Sequence, residues 1–168
     1  ANLSNVQSIN YKDKISVILD WSSSCSHDLI HENFGADCAY NSDFPKHKWI
    51  KSINGAFRII EKFLPETLPT INNNLHIIIP LKAREANISL SSTPSYTQGL
   101  MLTSLVSSKL MAESIIHETS HDILNQYSLQ YCLFNNDIPK YYSPFRSDTR
   151  PASGLLHAAY SFCNVLQF

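Results

Sequence analysis

Two histidines four residues apart, His117 and His121, belong to a His-Glu-x-x-His motif in which Glu118 follows the first histidine. Residues four apart lie on one face of an α-helix about one turn from each other, so both imidazoles can bind a single metal ion. The same short pattern also occurs by chance in helices that bind nothing. A third ligand is therefore needed before the motif indicates a metal site.

Catalytic zinc and non-haem iron sites use three protein ligands and leave at least one coordination position open. Peptidases with this motif usually take the third ligand from a later glutamate, or from a histidine six residues after the second one. No glutamate follows Glu118, and the residue six positions after His121 is Tyr127. The chain lacks both common peptidase arrangements, so a third ligand must come from elsewhere.

The remaining downstream candidates for the third ligand are Asp122, Asp137, Asp148 and His157. Asp122 projects about 100° away from its neighbour His121 around a helix, which places it poorly. His157 is the only histidine after the motif, and the two alanines that follow it would let its helix approach a metal closely. A lone histidine of this kind is more often an ordinary core residue, but the motif upstream favours a ligand. We expect His157 to be the third ligand, with Asp148 as the alternative.

The basic and aromatic segment from Tyr141 to Pro151 places Arg146 and Arg150 shortly before His157. Arginine presents a rigid, permanently charged group that binds a carboxylate through two hydrogen bonds. Beside a metal, this group suits the far carboxylate of a dicarboxylic co-substrate such as 2-oxoglutarate. The alternative is a salt bridge with Asp148 inside the loop. We expect one arginine to make each contact, and favour Arg146 for binding because Arg150 precedes a proline, which indicates a structural role.

Hydrophobic periodicity and turn residues predict the elements that position these side chains. Strands are predicted at residues 11–20, 75–81, 87–90 and 99–103, and helices at 46–64, 104–133 and 152–166. A proline- and asparagine-rich loop is predicted after the first helix, and a serine-rich connection at 91–98. Gly55 inside the first helix indicates close packing, and Ser153 is the predicted cap of the last helix.

This order of elements predicts a single α+β domain over residues 1–168, possessing a small mixed or antiparallel sheet packed with long helices. The motif is expected on a zincin-like metal helix and not in a cupin barrel. A chain of 168 residues suits one domain with its own core. The sequence does not begin with Met, which is consistent with a processed piece or a part of a longer or fused protein.

Composition excludes several classes of function. The net charge of −1 favours neither nucleic acid nor an anionic membrane as a partner. No apolar run approaches the roughly 20 residues of a transmembrane helix, and no signal peptide is recognisable, so a cytoplasmic location is expected. The four cysteines are widely spaced, which predicts free and mostly buried thiols instead of a zinc ribbon or a disulfide framework.

With these residues in view, the chain resembles the HExxH-type peptide β-hydroxylases that depend on Fe(II) and 2-oxoglutarate. The resemblance covers roughly residues 75–165: the serine-rich strand leading to Gly99 looks similar, and three further stretches match. These are the His117-Glu118-x-x-His121 motif, the Tyr-Tyr-x-Pro-Phe-Arg-x-Asp-x-Arg-Pro run at 141–151, and Gly154-Leu155-Leu156-His157. The segment from 141 to 157 is far more specific than the short metal motif.

The resemblance implies that His117, His121 and His157 bind Fe(II), and that Arg146 or Arg150 holds 2-oxoglutarate. It also implies a ribosomally made precursor peptide as the substrate, and a radical SAM enzyme or domain as a possible partner. Glu118 would then support the site instead of activating water. Two other classes stay open: a zinc metallopeptidase with an unusual third ligand, and a metal-free peptide-binding module.

Overall fold

The structure, a computed structural model of the chain, describes residues 6–20, 26–34, 38–40, 46–83, 89–134, 138–144 and 147–168. These residues form six strands and five α-helices. The strands are β1 (Val6–Tyr11), β2 (Ile15–Asp20), β3 (Cys38–Tyr40), β4 (Ile77–Ala83), β5 (Ser91–Ser92) and β6 (Leu100–Ser104). The helices are α1 (Ser26–Phe34), α2 (Lys46–Phe63), α3 (Leu68–Asn74), α4 (Ser108–Gln130) and α5 (Ala152–Leu166), with a 3-10 turn at Pro65–Thr67.

The described strands form one mixed, open sheet in the order β1-β2-β4-β6-β5, with β3 paired to the end of β4. The central pairs β2–β4 and β4–β6 are parallel, whereas β1–β2 and β5–β6 are antiparallel. The β4–β6 register runs from Ile77 opposite Leu100 to Leu81 opposite Ser104. Short β5 therefore lies at one edge of the described sheet, and the sheet does not close into a barrel. The prediction of a mixed α and β domain without a barrel is confirmed at this level.

Helix α2 forms because its apolar residues recur every three or four positions and give one continuous face. That face is completely buried at Trp49, Ile53, Ala56, Phe57 and Ile60. It packs against α4, and the predicted role of Gly55 is confirmed there. A β-carbon at that position would lie 2.7 Å from the Ser108 Cβ, so only glycine allows α2 to come this close to the start of α4.

Helix α4 carries the metal motif and is shorter than the predicted 104–133. It begins after Ser107, whose side chain accepts a hydrogen bond from the Leu110 backbone N–H and caps the helix. Its core face is buried at Met111, Ala112, Ile115 and Ile116. Because that face is held in the core, the other side of the same helix is fixed in place for the histidines.

Two of the predicted strands differ from the structure. The predicted strand at 11–20 is a hairpin of β1 and β2, because Lys12 and Asp13 adopt φ of 50° and 56° and form the turn between them. This turn lies in the charged Lys-Asp-Lys segment at residues 12–14, inside the predicted strand. Within the predicted strand at 87–90, residues 89 and 90 are not in a strand; residues 87 and 88 lie outside the described part.

Two helix predictions also need correction. The predicted loop after α2 is a 3-10 turn followed by α3, because Pro65 and Pro69 each lie at the start of a helical segment, where proline costs no hydrogen bond. Helix α5 has the predicted bounds, but its cap residue is Pro151 and no side chain caps it, so the role given to Ser153 is wrong.

Cys132 and Cys163 are free thiols, as predicted. Both are exposed, so the prediction that the thiols are mostly buried is wrong for these two. The side chains of Cys25 and Cys38 lie outside the described part. None of the described helices is long and apolar enough to cross a membrane.

Candidate metal centre

Helix α4 presents His117 and His121 on the side opposite its core face. Their Nε2 atoms lie 3.0 Å apart, and the two rings meet edge to face with centroids 4.6 Å apart. A spacing of four residues on a regular helix produces this approach. Phe162 of α5 packs edge-on against the His117 ring at 5.3 Å between centroids, which restricts how that ring can turn. The two motif histidines thus form an ordered pair.

The third histidine, His157, reaches the same place from α5. Its Nδ1 lies 3.1 Å from the His121 Nδ1. Helix α5 packs along α4, and the Asn164 side-chain amide donates a 3.0 Å hydrogen bond to the Ser120 Oγ between the two helices. The structure therefore brings together all three residues predicted as metal ligands.

The three imidazoles fit a metal in their chemistry and spacing, although their nitrogens do not yet point at one position. Ligands in neighbouring positions about 2.1 Å from a metal lie about 3 Å from each other, which matches both nitrogen pairs. His121, however, faces one neighbour with Nε2 and the other with Nδ1. Among the described residues, accordingly, no group of three or more His, Cys, Asp or Glu side chains converges as it would on a bound ion. For one metal ion to bind all three histidines, the same ring nitrogen of His121 would have to face the ligand nitrogens of both His117 and His157.

All three imidazoles are held in the neutral form that binds metals. Burial lowers the pKa of His121 to about 4, with further contributions from the charges of His117 and His157. Burial also lowers the pKa of His117 and of His157 below the usual histidine value. Metal binding at neutral pH therefore needs no displacement of protons from these rings.

Glu118 lies beside the histidines and is almost completely buried, with 3% of its surface exposed. Its Oε1 accepts a 2.7 Å hydrogen bond from the Ser91 Oγ of β5, and Thr93 Oγ1 donates to its backbone carbonyl at 3.2 Å. Its Oε2 has no hydrogen-bond partner within the described residues. Burial raises the pKa of Glu118, and the hydrogen bonds from Ser91 and Thr93 oppose that shift.

Two clefts open on either side of the three histidines. The arginine cleft, of about 350 Å³, lies between α4, α5 and the 141–150 loop; besides the histidines, it is lined by Ser143, Arg150, Gly154, Ala158, Ser161 and Phe162. The hydroxyl cleft, of about 340 Å³, lies between α4 and β5; its other lining residues are Ser91, Ser92, Thr93, Ser95, Glu118 and Asn125. A reacting centre at the histidines would be reached from both clefts.

Of the two predicted arginines, Arg150 lines the arginine cleft, and Arg146 lies outside the described residues. The Arg150 backbone closes its loop through hydrogen bonds with Tyr141, at 2.8 Å and 3.0 Å, which is the structural role expected next to a proline. Arg150 lines the cleft and also pairs with Asp148, with Nε 3.5 Å from Oδ2. Arg150 therefore makes the predicted salt bridge with Asp148 and is also the described arginine that lines the cleft.

The other predicted ligands are not brought to the histidines. Asp148 is 62% exposed at its side chain and lines neither cleft. Asp137 lies outside the described residues. Asp122 is buried on another side of α4, where Oδ1 accepts a 3.2 Å hydrogen bond from the Gly99 backbone N–H and Oδ2 accepts one from Gln126 at 2.7 Å. Asp122 thus ties the metal helix to the start of β6.

Sequence reasoning missed the hydroxyl side chains of 91–95 and Asn125, because it treated the serine-rich segment as a connection. The available signal was weak: a row of hydroxyl residues next to strand-like sequence, and an asparagine four residues after His121. No protein-family model matches the chain, and no curated protein matches it at a significant level.

Proposed function

We propose that the protein is a non-haem Fe(II)- and 2-oxoglutarate-dependent oxygenase that hydroxylates the β-carbon of a residue in a ribosomally made precursor peptide. The observation that carries the proposal is the arginine cleft, in which three neutral histidines and one arginine side chain line the same space. A keto acid with a second carboxylate needs both kinds of group, a metal at one end and a cation at the other.

In this proposal His117, His121 and His157 would hold the iron. The bound iron supplies the oxidising chemistry: one oxygen atom of O₂ enters the peptide, and the other enters succinate as CO₂ leaves 2-oxoglutarate. Arg150 binds the far carboxylate of 2-oxoglutarate, with Arg146 as the second candidate from the same loop. Phe162 packs edge-on against His117 in the wall of this cleft.

Glu118 supports the site in this proposal and does not act as a base. Its hydrogen bond from Ser91 links α4 to β5, so it helps to fix the position of the helix that carries two of the ligands. The placement of that helix beside the β5 edge of an open sheet supports the expected zincin-like arrangement, which is part of the proposal.

The direct test is anaerobic reconstitution of the full chain with Fe(II), followed by addition of O₂ and 2-oxoglutarate and measurement of succinate. We expect iron-dependent succinate from the wild type and none from the His121→Ala variant. The His47→Ala variant is the matched control, because His47 is exposed on α2 far from the motif in sequence. An iron-loaded wild-type protein that converts no 2-oxoglutarate would contradict the proposal.

A zinc metallopeptidase is the second candidate, and one observation favours it. The Glu118 carboxyl lines the hydroxyl cleft with the histidines, its Oε2 has no partner among the described residues, and burial raises its pKa, as suits a general base. The arginine cleft has no evident use in that mechanism, which is why we prefer the oxygenase.

The Glu118→Gln substitution separates the two enzymes. A peptidase uses this glutamate to deprotonate metal-bound water, so the substitution should lower its activity by about 10²–10⁴-fold. In the oxygenase, glutamine keeps an oxygen that can accept the Ser91 hydrogen bond, so we expect only a partial loss. Mass spectrometry should show a peptide product heavier by one oxygen atom and no cleavage. Zinc-dependent cleavage that Glu118→Gln abolishes would favour the peptidase.

A further inference from the structure

The two clefts differ in charge, although the same three histidines line both. The arginine cleft contains a permanent cation, whereas the hydroxyl cleft contains no lysine or arginine among its lining residues. The one acid in the hydroxyl cleft, Glu118, exposes only 3% of its surface and is bound to Ser91. The hydroxyl cleft therefore offers hydrogen bonds to a ligand but no exposed formal charge.

Several hydroxyl groups on the strand side of the hydroxyl cleft already make hydrogen bonds within the protein. Ser91 and Thr93 bind Glu118, and Ser92 donates a 2.9 Å hydrogen bond to the Asn33 Oδ1 of α1. Ser91 and Thr93, two residues apart, thus contact α4, and Ser92 between them contacts α1. Asn125 and Ser95 differ from them: within the described residues, neither side chain makes a hydrogen bond, and both line the cleft. They are the groups left to contact a ligand.

Asn125 stands four residues after His121 on α4, so its amide lies about 6 Å further along the same helix face. An extended peptide advances about 3.3 Å per residue, so this distance corresponds to about two residues of substrate. An asparagine amide both donates and accepts, which matches a peptide main-chain N–H and C=O.

From this we propose that the hydroxyl cleft is the substrate-peptide site. It binds a neutral, extended segment, and Asn125 contacts the main chain about two residues from the reacting residue. The inference rests on the proposed function for the identity of the reacting centre. It implies that peptide and 2-oxoglutarate approach the histidines from different clefts, so that neither ligand blocks the other.

The test observes the Asn125 side-chain amide by NMR in the ¹⁵N-labelled full chain without metal or 2-oxoglutarate. The probes are three mixtures of N-acetylated, C-amidated hexapeptides: a neutral set built from Ser, Thr, Asn, Gln, Ala and Val, an acidic set and a basic set. We expect the neutral set to shift the Asn125 amide signals and to bind more tightly than either charged set. Asn125→Leu should weaken this binding about tenfold, the loss of one or two hydrogen bonds.

Gln130→Leu is the matched control, since this amide is exposed on the same helix and lines neither cleft. It should leave peptide binding unchanged. Tighter binding of the acidic set, shifts confined to Gly154 and its neighbours in the arginine cleft, or no shift with any set would each overturn the inference. The succinate assay on the wild type tests the oxygenase separately. Peptide binding at Asn125 without succinate formation would contradict the oxygenase alone. Succinate formation without peptide contact at Asn125 would contradict this inference alone.

Discussion

The candidate site depends most on His121, because among the three histidines of the site it contacts both His117 and His157. Its ring nitrogens lie 3.0 Å from His117 and 3.1 Å from His157. These contacts are either hydrogen bonds between neutral imidazoles or, in the proposed function, the approach of three ligands to one metal ion, and the variants below separate the two.

The first residue-scale prediction concerns the ligand set. Replacing His157 by alanine should weaken metal binding by at least about 100-fold, because even the loss of a group that only orients a ligand costs about 10–100-fold. Asp148→Ala should bind metal as the wild type does, since this exposed side chain lines neither cleft. Titration with Co(II), followed by its visible spectrum, measures both affinities. Full affinity in His157→Ala would remove it from the ligand set and return Asp148 to consideration.

The second residue-scale prediction concerns the co-substrate. Arg150→Ala should raise the apparent KM for 2-oxoglutarate by about 10–100-fold, because a charge-assisted bidentate contact contributes about 1.5–3 kcal/mol. Metal affinity should stay unchanged in this variant. Arg58→Ala, an exposed arginine on α2, is the control. If Arg150→Ala and Arg146→Ala both keep the wild-type KM, the 141–150 loop does not hold the co-substrate.

At the scale of elements, the position of α4 depends on contacts at both of its sides. Its core face packs on α2, and its other side is tied to β5 through Glu118, to β6 through Asp122 and to α5 through Ser120. Gln126 extends the Asp122 contact by donating a 2.9 Å hydrogen bond to Asn74 at the end of α3. Polar contacts of this kind set the rotation of the helix, which hydrophobic packing alone leaves less defined.

The element-scale prediction follows from Asp122, which is 2% exposed. Asp122→Ala removes an acceptor from the Gly99 N–H and from Gln126, so we expect the free energy of unfolding to fall by about 2–3 kcal/mol. Glu113→Ala, on the exposed side of the same helix, should change it by less than about 0.5 kcal/mol. Urea unfolding followed by circular dichroism provides both values. Equal stability of the two variants would mean that Asp122 does not anchor α4.

At the scale of the whole molecule, the β1–β2 hairpin packs on α2 through the core and is also tied to it by one carboxylate. Glu61 accepts hydrogen bonds from Lys12, Lys14 and Tyr11 at 2.7, 2.9 and 2.7 Å. These hydrogen bonds lower the pKa of Glu61 from the ordinary 4.5 to about 2. The hairpin forms one edge of the sheet, so this cluster connects that edge to the main core helix.

The pH prediction follows from the direction of that shift. Because the folded-state pKa is lower than the unfolded one, the stability due to Glu61 is fully present above pH 4.5 and is lost as pH falls towards 2. The difference in unfolding free energy between wild type and Glu61→Gln should therefore shrink over this range. It should also shrink with added salt, since these charges are near solvent. A difference that does not depend on pH would show that the carboxylate charge contributes nothing.

Much of the local structure follows from the sequence because its causes are local. The repeat of apolar residues at three and four positions predicts α2 almost to the residue, and α5 at its observed bounds, since a helix must bury such a face. The spacing of His117 and His121 likewise determines their approach on any regular helix. The error at α3 has a local cause too: two prolines predict a loop, although proline is well tolerated in the first helical turn.

The relations between elements could not be predicted in this way, because they depend on which faces meet after the whole core has packed. The contact of His157 with His121 requires α5 to lie along α4, although the two residues are 36 positions apart in the chain. The contact of Asp122 with Gly99, and those of Ser91 and Thr93 with Glu118, depend on the order of the strands in the sheet. The periodicity of the sequence does not contain that order. The apolar face of a helix or strand is determined by residues close together in the sequence. The element that packs against this face is determined by long-range contacts, which depend on how all the other elements pack.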